Sequence, residues 1–97
     1  NPAGFFGMVF VLEGTSVALA LMAADRIQAT LGLPDAAFSY LRSHGTLDQE
    51  HTRHLAALLE RMTPEDQTEV RRCTRIFFRL YGDIFRALPH WKAAACN

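Results

Sequence analysis

Three observations predict that this chain is an all-α protein. No segment of its 97 residues shows the alternation of apolar and polar side chains that a half-buried strand requires. Apolar residues instead recur at helical spacing over long stretches. The junctions between these stretches carry residues that typically end or begin helices, namely Gly32, Pro34, Thr63 and Pro64. We therefore expect one helical domain over residues 1–97, folded as a helical bundle.

The first predicted helix covers residues 3–31. Gly32 is the residue type that most often ends a helix in the left-handed conformation, and Pro34 cannot continue the helix. The apolar run at residues 8–24 is at the short limit of about 17 residues for a membrane span. It also contains Glu13, and no basic segment precedes it as in a signal peptide. We therefore expect a buried helix and no membrane association.

This first helix has no polar face in its middle, so it needs neighbours on all sides. The rest of the chain is too short to surround it, which implies a second copy of the chain or a missing half of a larger bundle. Residue 1 is Asn rather than Met, and the core-like pattern begins almost at once. We expect the chain to be a piece of a longer protein. The apolar residues are Phe6, Val9, Phe10, Val11, Leu12, Val17, Leu19, Leu21 and Met22.

The second helical segment begins near Asp35, and the sequence allows two interpretations of it. Gly45 interrupts or loosens the helix, and Thr46 with Gln49 forms a capping-box pattern for a new start. Alternatively, one helix continues over residues 36–62 and places a stripe of residues with 4-3 spacing toward the core. That stripe consists of Ala37, Leu41, His44, Asp48, His51, Leu55, Leu58 and Met62.

The last predicted helix begins with Thr63 as N-cap and Pro64 at its first position. It ends at Leu88, because Pro89 follows. Four aromatic residues form a stripe on this helix, and we expect them to pack in the core rather than line a substrate pocket. They are Phe77, Phe78, Tyr81 and Phe85.

The composition excludes some partners. Ten basic and ten acidic residues give no net charge that would attract nucleic acid or an anionic membrane. The two cysteines, Cys73 and Cys96, belong to no metal or disulfide motif and are typical of a reduced, cytoplasmic protein. Cys73 has arginines nearby in the sequence but no base beside it, so we interpret it as a structural thiol.

Glu13 is the residue that most needs an explanation, because an ionised carboxylate inside an apolar helix costs several kcal/mol unless it is paired or bound to a metal. The nearest cation in sequence, Arg26, is more than three turns away. A more distant partner such as Arg42 or Arg53 is one possibility. The other is a metal site in which Glu13 meets a second group of ligands across a helix contact. That group consists of His44, Asp48 and His51.

The spacing of the second group limits how it binds metal. The Cα atoms of His44 and His51 are separated by roughly 10 Å along a helix axis, so one ion is easily shared by Asp48 and only one of them. Two ions about 3.5–4 Å apart would use both histidines and both carboxylates. The alternative is an interaction module without a metal, in which His44 and Asp48 bond to each other.

The segments NPAGFFGMVFVLEGTS and HGTLDQEH resemble the C-terminal half of the haem-oxygenase-like di-iron oxidases and oxygenases, a group also known as iron-containing redox enzymes. The resemblance implies half of a haem-oxygenase-like helical fold with a di-iron centre, or manganese in its place. It also implies dioxygen and a small organic molecule as substrates. The implied metal ligands are Glu13, His44, Asp48 and His51.

The chain departs from that family in one respect, because the family's first half supplies a further Glu and a Glu-x-x-His pair that have no counterpart here. We expect this chain to carry about half of a metal site, so metal can be absent from the chain when it is alone. It is either a fragment or one copy of a homodimer that rebuilds the bundle. The alternatives are a non-catalytic dimerisation module and a metal-free, thiaminase-II-like enzyme, which would need a cysteine nucleophile near an acid.

Overall fold

Three α-helices form the chain in the computed structural model, which describes the backbone of residues 1–95 and the side chains of residues 1–88. Single 3-10 turns precede the first two helices, at Pro2–Gly4 and Asp35–Phe38. No strand occurs in the described residues, so the predicted all-α class is confirmed. The helices are α1 (Phe5–Leu31), α2 (Ser39–Glu60) and α3 (Pro64–Ala95).

The three helices form one flat layer. Helix α1 lies in the middle and packs against both α2 and α3. The described residues measure 48 × 33 × 15 Å. A helix with its side chains is about 10–12 Å across, so the layer is little thicker than one helix and its two faces stay open. The fully apolar α1 is therefore covered at its sides but not above and below.

Two helix ends lie where the sequence predicts them. Gly32 ends α1 in the left-handed conformation, with φ at 64°, and its N–H donates to the carbonyl oxygen of Gln28 at 2.8 Å. At the start of α3, the N–H of Asp66 donates to Oγ1 of Thr63 at 3.2 Å, as expected of an N-cap threonine. Both predictions are confirmed.

The predicted end of α3 at Leu88 is wrong, because the helix continues through Pro89 to Ala95. A proline lacks the N–H that would donate to the carbonyl four residues earlier, but the residues after it keep their own donors. One missing hydrogen bond therefore does not end the helix here. Cys96 lies outside the described residues.

Helix α2 is continuous through Gly45, so the predicted interruption and new start are wrong. Oγ1 of Thr46 does not cap a helix but donates to the carbonyl oxygen of Arg42 at 3.2 Å. Gly45 is buried, and a Cβ atom there would lie 3.1 Å from Cγ of Leu21. This glycine allows α1 and α2 to approach each other closely, which is why it lies inside the helix.

The close approach at Gly45 also rotates the buried face of α2. The residues that α2 buries are Gly45, Asp48 and Leu55, whereas His51 and Leu58 from the predicted stripe are exposed. The buried face of α2 therefore agrees with the predicted 4-3 stripe at Asp48 and Leu55. Along the other half of the stripe it is displaced by about one residue, as where Gly45 is buried instead of His44.

Much of the apolar surface of α1 stays accessible in this single layer. Within Pro2–Leu31, only 17% of an apolar stretch of 18 residues is buried. By length and composition alone this helix could cross a membrane, but the core helix of a soluble protein meets the same criterion. The exposed large side chains on α1 include Phe5, Phe10, Leu12, Leu19, Leu21 and Met22.

Candidate metal centre

Three side chains from two helices converge where α1 and α2 pack together. Glu13 comes from α1, while Asp48 and His51 come from α2, three residues apart and so on neighbouring positions of its surface. One possible ligand atom from each of the three lies within 4.8 Å of the other two. The structure thus brings together three of the four residues that the sequence analysis proposes as metal ligands.

The burial of the two carboxylates differs, and Asp48 has the more costly position. Its side chain is 11% exposed, against 30% for Glu13 and 51% for His51. Asp48 is also the one buried charged residue in the described part of the chain. A carboxylate removed from water in this way needs a cation or several hydrogen bonds beside it. The imidazole of His51 is the neighbour that the structure provides.

The distances around His51 fit a shared ion better than a pair of hydrogen bonds. Its Nδ1 lies 3.4 Å from Oε1 of Glu13 and 3.4 Å from Oδ1 of Asp48. Both distances exceed the 2.7–3.2 Å range of a good N–H···O bond. Two donor atoms that are each about 2.1 Å from one ion and lie at 90–110° are about 3.0–3.4 Å apart. The two separations at Nδ1 of His51 therefore match those of ligands around a first-row metal, and the donor atoms of all three residues lie within 4.8 Å of one another.

The chemical types of the three ligand side chains are a second test of whether the cluster suits a metal ion. Two carboxylates and one imidazole are the ligands that redox-active iron and manganese accept in proteins. Two carboxylates at this separation also repel each other unless a positive charge lies between them. A divalent cation would satisfy both carboxylates at once, and so the residues present fit an iron ion.

His44 lies outside the three-residue cluster. Its Nδ1 is 3.0 Å from the carbonyl oxygen of Tyr40, and the two rings stack with centroids 3.9 Å apart. Because a carbonyl only accepts hydrogen bonds, Nδ1 of His44 carries the proton in this arrangement. In the neutral ring, Nε2 is then left with its lone pair. Metal-bound histidines commonly donate their other N–H to a backbone carbonyl in this manner.

The role of Tyr40 was not predicted, although its position four residues before His44 is the signal that could have revealed it. It also missed Thr52, whose Oγ1 is buried and has no hydrogen-bond partner among the described residues. Thr52 follows Asp48 by one turn of α2. A hydroxyl in this position can donate to a water molecule or a ligand that the chain itself does not supply.

The alternative partners proposed for Glu13 are taken by other groups. Arg42 pairs with Asp25 at 2.8 Å and also donates to the side chain of Gln28 at 2.9 Å. Nε of Arg53 points to the backbone carbonyl of Gln49. Within residues 1–88, Glu13 forms no ion pair with an arginine, and His51 is its only ionisable partner. The distant-cation explanation is therefore wrong for this structure.

His44 and Asp48 do not form the bond that the interaction-module hypothesis assumes. The hydrogen bond of His44 goes to Tyr40, and the ionisable neighbour of Asp48 is His51. His44 and Asp48 thus do not neutralise each other as a structural pair.

Cys73 has an acid beside it, contrary to the expectation that no such group is near. Its Sγ donates to Oε1 of Glu69 at 3.6 Å, and Glu69 is also held by Arg72 at 2.6 Å. The hydrogen bond from Arg72 lowers the pKa of Glu69 to about 2. A carboxylate with such a low pKa is a weak base for a thiol. The pair therefore gives little support to a cysteine nucleophile of the thiaminase-II type.

The comparisons with known proteins give one match. Residues 1–82 match a sequence family described as iron-containing redox enzyme, which covers all of α1 and α2 and more than half of α3. No curated protein and no solved structure gives a significant match. The matched region contains the whole candidate centre, including Glu13, His44, Asp48 and His51.

Proposed function

Because the chain belongs to the family of iron-containing redox enzymes, we propose that it supplies half of a di-iron centre that activates dioxygen to oxidise a small organic substrate. The convergence of Glu13, Asp48 and His51 within 4.8 Å is the observation that supports this proposal most directly. The family description accounts for the redox chemistry, while the di-iron form and the half-site are our own inference.

Each proposed ligand has a position that suits it. Glu13, Asp48 and His51 would hold one ion between α1 and α2. The free Nε2 of His44, one turn before Asp48, would hold a second. Bound iron supplies the electrons that reduce dioxygen.

The rest of the chain prepares these ligands. Gly45 lets α2 approach α1 closely enough for Glu13 to reach Asp48 and His51. The stacked ring of Tyr40 and its carbonyl oxygen fix the orientation of His44. The side chain of Glu13 is 30% exposed and that of Asp48 is 11% exposed, so the contact between α1 and α2 shields both carboxylates in part. The chain thus binds, orients and shields the donor atoms.

The remaining ligands of a two-ion centre must come from another segment. Two carboxylates and two imidazoles leave each ion with fewer protein ligands than di-iron bundles provide. The open faces of the layer, with Phe10 39% and Leu12 44% exposed, offer a surface on which that segment can pack. We propose a second copy of the chain as its source, and the first half of a longer chain as the alternative.

Light scattering distinguishes these two sources. A homodimer has twice the 10.9 kDa mass of the chain and takes up metal without any other polypeptide. A monomer that takes up no metal would contradict the dimer. In that case, adding the preceding segment of the reading frame should restore metal binding, provided that the segment carries a Glu-x-x-His motif.

Metal analysis tests the proposed function itself. We expect iron or manganese in protein purified without tags or chelators, at up to about two ions per complete bundle. The variants His44→Ala and Asp48→Ala should each lose most of the metal. His54→Ala is the matched control, since His54 is exposed and lies outside the three-residue cluster. Equal metal content in all four proteins would contradict the di-iron proposal.

A further inference from the structure

A second feature lies along the C-terminal half of α1, where residues of all three helices line an open groove of about 550 Å³. Ligand sites typically have volumes of about 300–1,000 Å³, so the groove is large enough for a small organic molecule. The small side chains of Ala20 and Ala23 leave the space on α1. The side chains contributed by the other two helices are Leu41, Tyr81 and Phe85.

The groove begins close to the candidate metal centre. Ser16 lines one end of it and follows Glu13 by three residues, which places the two on the same side of α1 with Cβ atoms about 5–6 Å apart. Arg26 lines the other end, ten residues further along the helix. At 1.5 Å per residue, the two ends are about 15 Å apart. The groove is therefore elongated, and only one end is near Glu13.

The aromatic residues of α3 line this groove rather than a closed core. Tyr81 and Phe85 meet edge to face, with ring centroids 5.1 Å apart, and both face the groove. Phe85 remains 52% exposed. The predicted core position is wrong for Phe85 in this chain, whereas Tyr81 is half-buried. Their rings give the groove an apolar wall.

Arg26 is the one charged side chain among the described residues that line the groove. Arg42, on the neighbouring helix, is paired with Asp25. Arg26 has no such carboxylate partner within residues 1–88. An unpaired guanidinium at the end of an apolar groove favours a ligand with a negative charge at the same end.

We infer that the substrate is an elongated apolar molecule with an anionic group at one end, which binds to Arg26 while the apolar part lies along α1. The opposite end of the molecule then lies near Ser16 and Glu13, where the oxidation would occur. This inference rests on the proposed function for its reaction, but the groove and its charge can be tested without metal.

Binding of simple probes to the metal-free protein tests the charge preference. Decanoate, decanol and decyltrimethylammonium share one apolar chain and differ in the charge of their end group, and NMR titration gives the dissociation constant of each. We expect decanoate to bind most tightly. Arg26→Gln should weaken decanoate binding about fivefold and leave decanol unchanged. Arg61→Gln is the matched control, because Arg61 is an exposed arginine outside the groove. An equal effect of the two substitutions would overturn the role of Arg26.

A second pair of variants tests the groove itself. Ala23→Leu fills part of the groove and should weaken the binding of decanol and of decanoate to the same extent. Ala29→Leu adds the same side chain to an exposed position of α1 that does not line the groove, and should leave both probes unaffected. Unchanged binding in Ala23→Leu, or equal loss in both variants, would overturn the assignment of the groove.

Relaxation of decanoate protons by added Mn²⁺ tests the orientation and separates this inference from the proposed function. Mn²⁺ at Glu13, Asp48 and His51 should relax the methyl end of decanoate faster than the end beside the carboxylate. The reverse order would overturn the orientation. If Mn²⁺ does not bind while decanoate binding still depends on Arg26, the proposed metal uptake by the chain itself fails and the groove is supported.

Discussion

Nδ1 of His51 lies at the same distance, 3.4 Å, from a carboxylate oxygen of Glu13 on α1 and from one of Asp48 on α2. A single imidazole is thus the link between two acidic side chains on different helices. When no metal is bound and the imidazole is neutral, the two carboxylates face each other in a site that excludes part of the solvent. Metal binding and the stability of the metal-free protein should therefore respond in opposite directions to the removal of one charge.

The variant Glu13→Gln tests this opposition. We expect it to abolish metal binding and to raise the free energy of unfolding of the metal-free protein by up to about 1 kcal/mol, since the repulsion between two partly shielded carboxylates is removed. Urea unfolding of the metal-free protein at pH 8 measures the stability.

Glu50→Gln is the control for this change, because Glu50 is an exposed carboxylate on α2 outside the cluster. It should alter neither quantity. If Glu13→Gln destabilised the metal-free protein, the carboxylate would have a structural partner and the interaction-module hypothesis would gain support.

We predict that a substitution by alanine has opposite effects on stability at two glycines of α1. A Cβ atom on Gly7 would lie 2.7 Å from the backbone nitrogen of Thr74 and 2.8 Å from the carbonyl oxygen of Val70. Gly7→Ala must therefore push α3 away from α1, which we expect to cost about 1–3 kcal/mol in the free energy of unfolding. A Cβ atom on Gly14 meets nothing within 4 Å. Gly14→Ala should stabilise the protein by up to about 1 kcal/mol.

Thermal unfolding of the two alanine variants, each compared with the parent chain, measures this difference. The helix propensity gained is the same in both, so the contrast isolates the close contact between α1 and α3. A stabilising Gly7→Ala would mean that the two helices are not packed as closely as the structure has them.

Much of the fold can be predicted from the sequence because its helix ends are local. Gly32 and Thr63 act through their own backbone and side-chain hydrogen bonds, so their roles follow from residue type and position. Gly45 could not be interpreted in this way, since its effect depends on Leu21 of another helix. Residue type alone does not distinguish a glycine that breaks a helix from one that lets two helices approach.

The candidate site was predictable in part for a similar reason. A carboxylate inside an apolar run, as at Glu13, needs a partner whatever the fold, and Asp48 lies on a buried stripe in either register of α2. The neighbours of His44 and Cys73 depend on side-chain conformations that spacing does not fix. Glu69 lies four residues before Cys73, a spacing that allows the contact but does not show that the two side chains adopt it.

The ion pair of Glu69 and Arg72 predicts how part of the stability depends on pH. The hydrogen bond from Arg72 lowers the pKa of Glu69 to about 2, from a usual value of 4.5. Since the folded pKa is below the unfolded one, the contribution of this carboxylate is fully present above pH 4.5. It is lost as the pH falls toward 2, when protonation breaks the pair.

Titration of the Glu69 carboxyl carbon by NMR checks this shift, and Arg72→Gln should return the pKa toward 4.5. Arg86→Gln is the control, since Arg86 forms the same type of pair with Asp83 further along α3. It should leave the titration of Glu69 unchanged. A pKa of Glu69 near 4.5 in the parent protein would show that solvent screens the pair.

The tautomer of His44 provides the last test, and it concerns the second ion of the proposed centre. With Nδ1 donating to the carbonyl oxygen of Tyr40, His44 should carry its proton on Nδ1 and leave Nε2 free. Long-range ¹H–¹⁵N correlation spectra distinguish the two tautomers at a pH where the ring is neutral. His54, which is exposed, serves as the internal reference in the same spectrum.

Addition of Fe²⁺ without oxygen should then change the Nε2 signal of His44 and leave that of His54 in place, because the contact of Nδ1 with Tyr40 fixes the ring of His44 and leaves its Nε2 lone pair free. Asp48→Asn should reduce this response, since one charged ligand of the proposed centre is removed. A proton on Nε2 of His44, or an Fe²⁺ response at His51 alone, would limit the chain to the ion held by Glu13, Asp48 and His51.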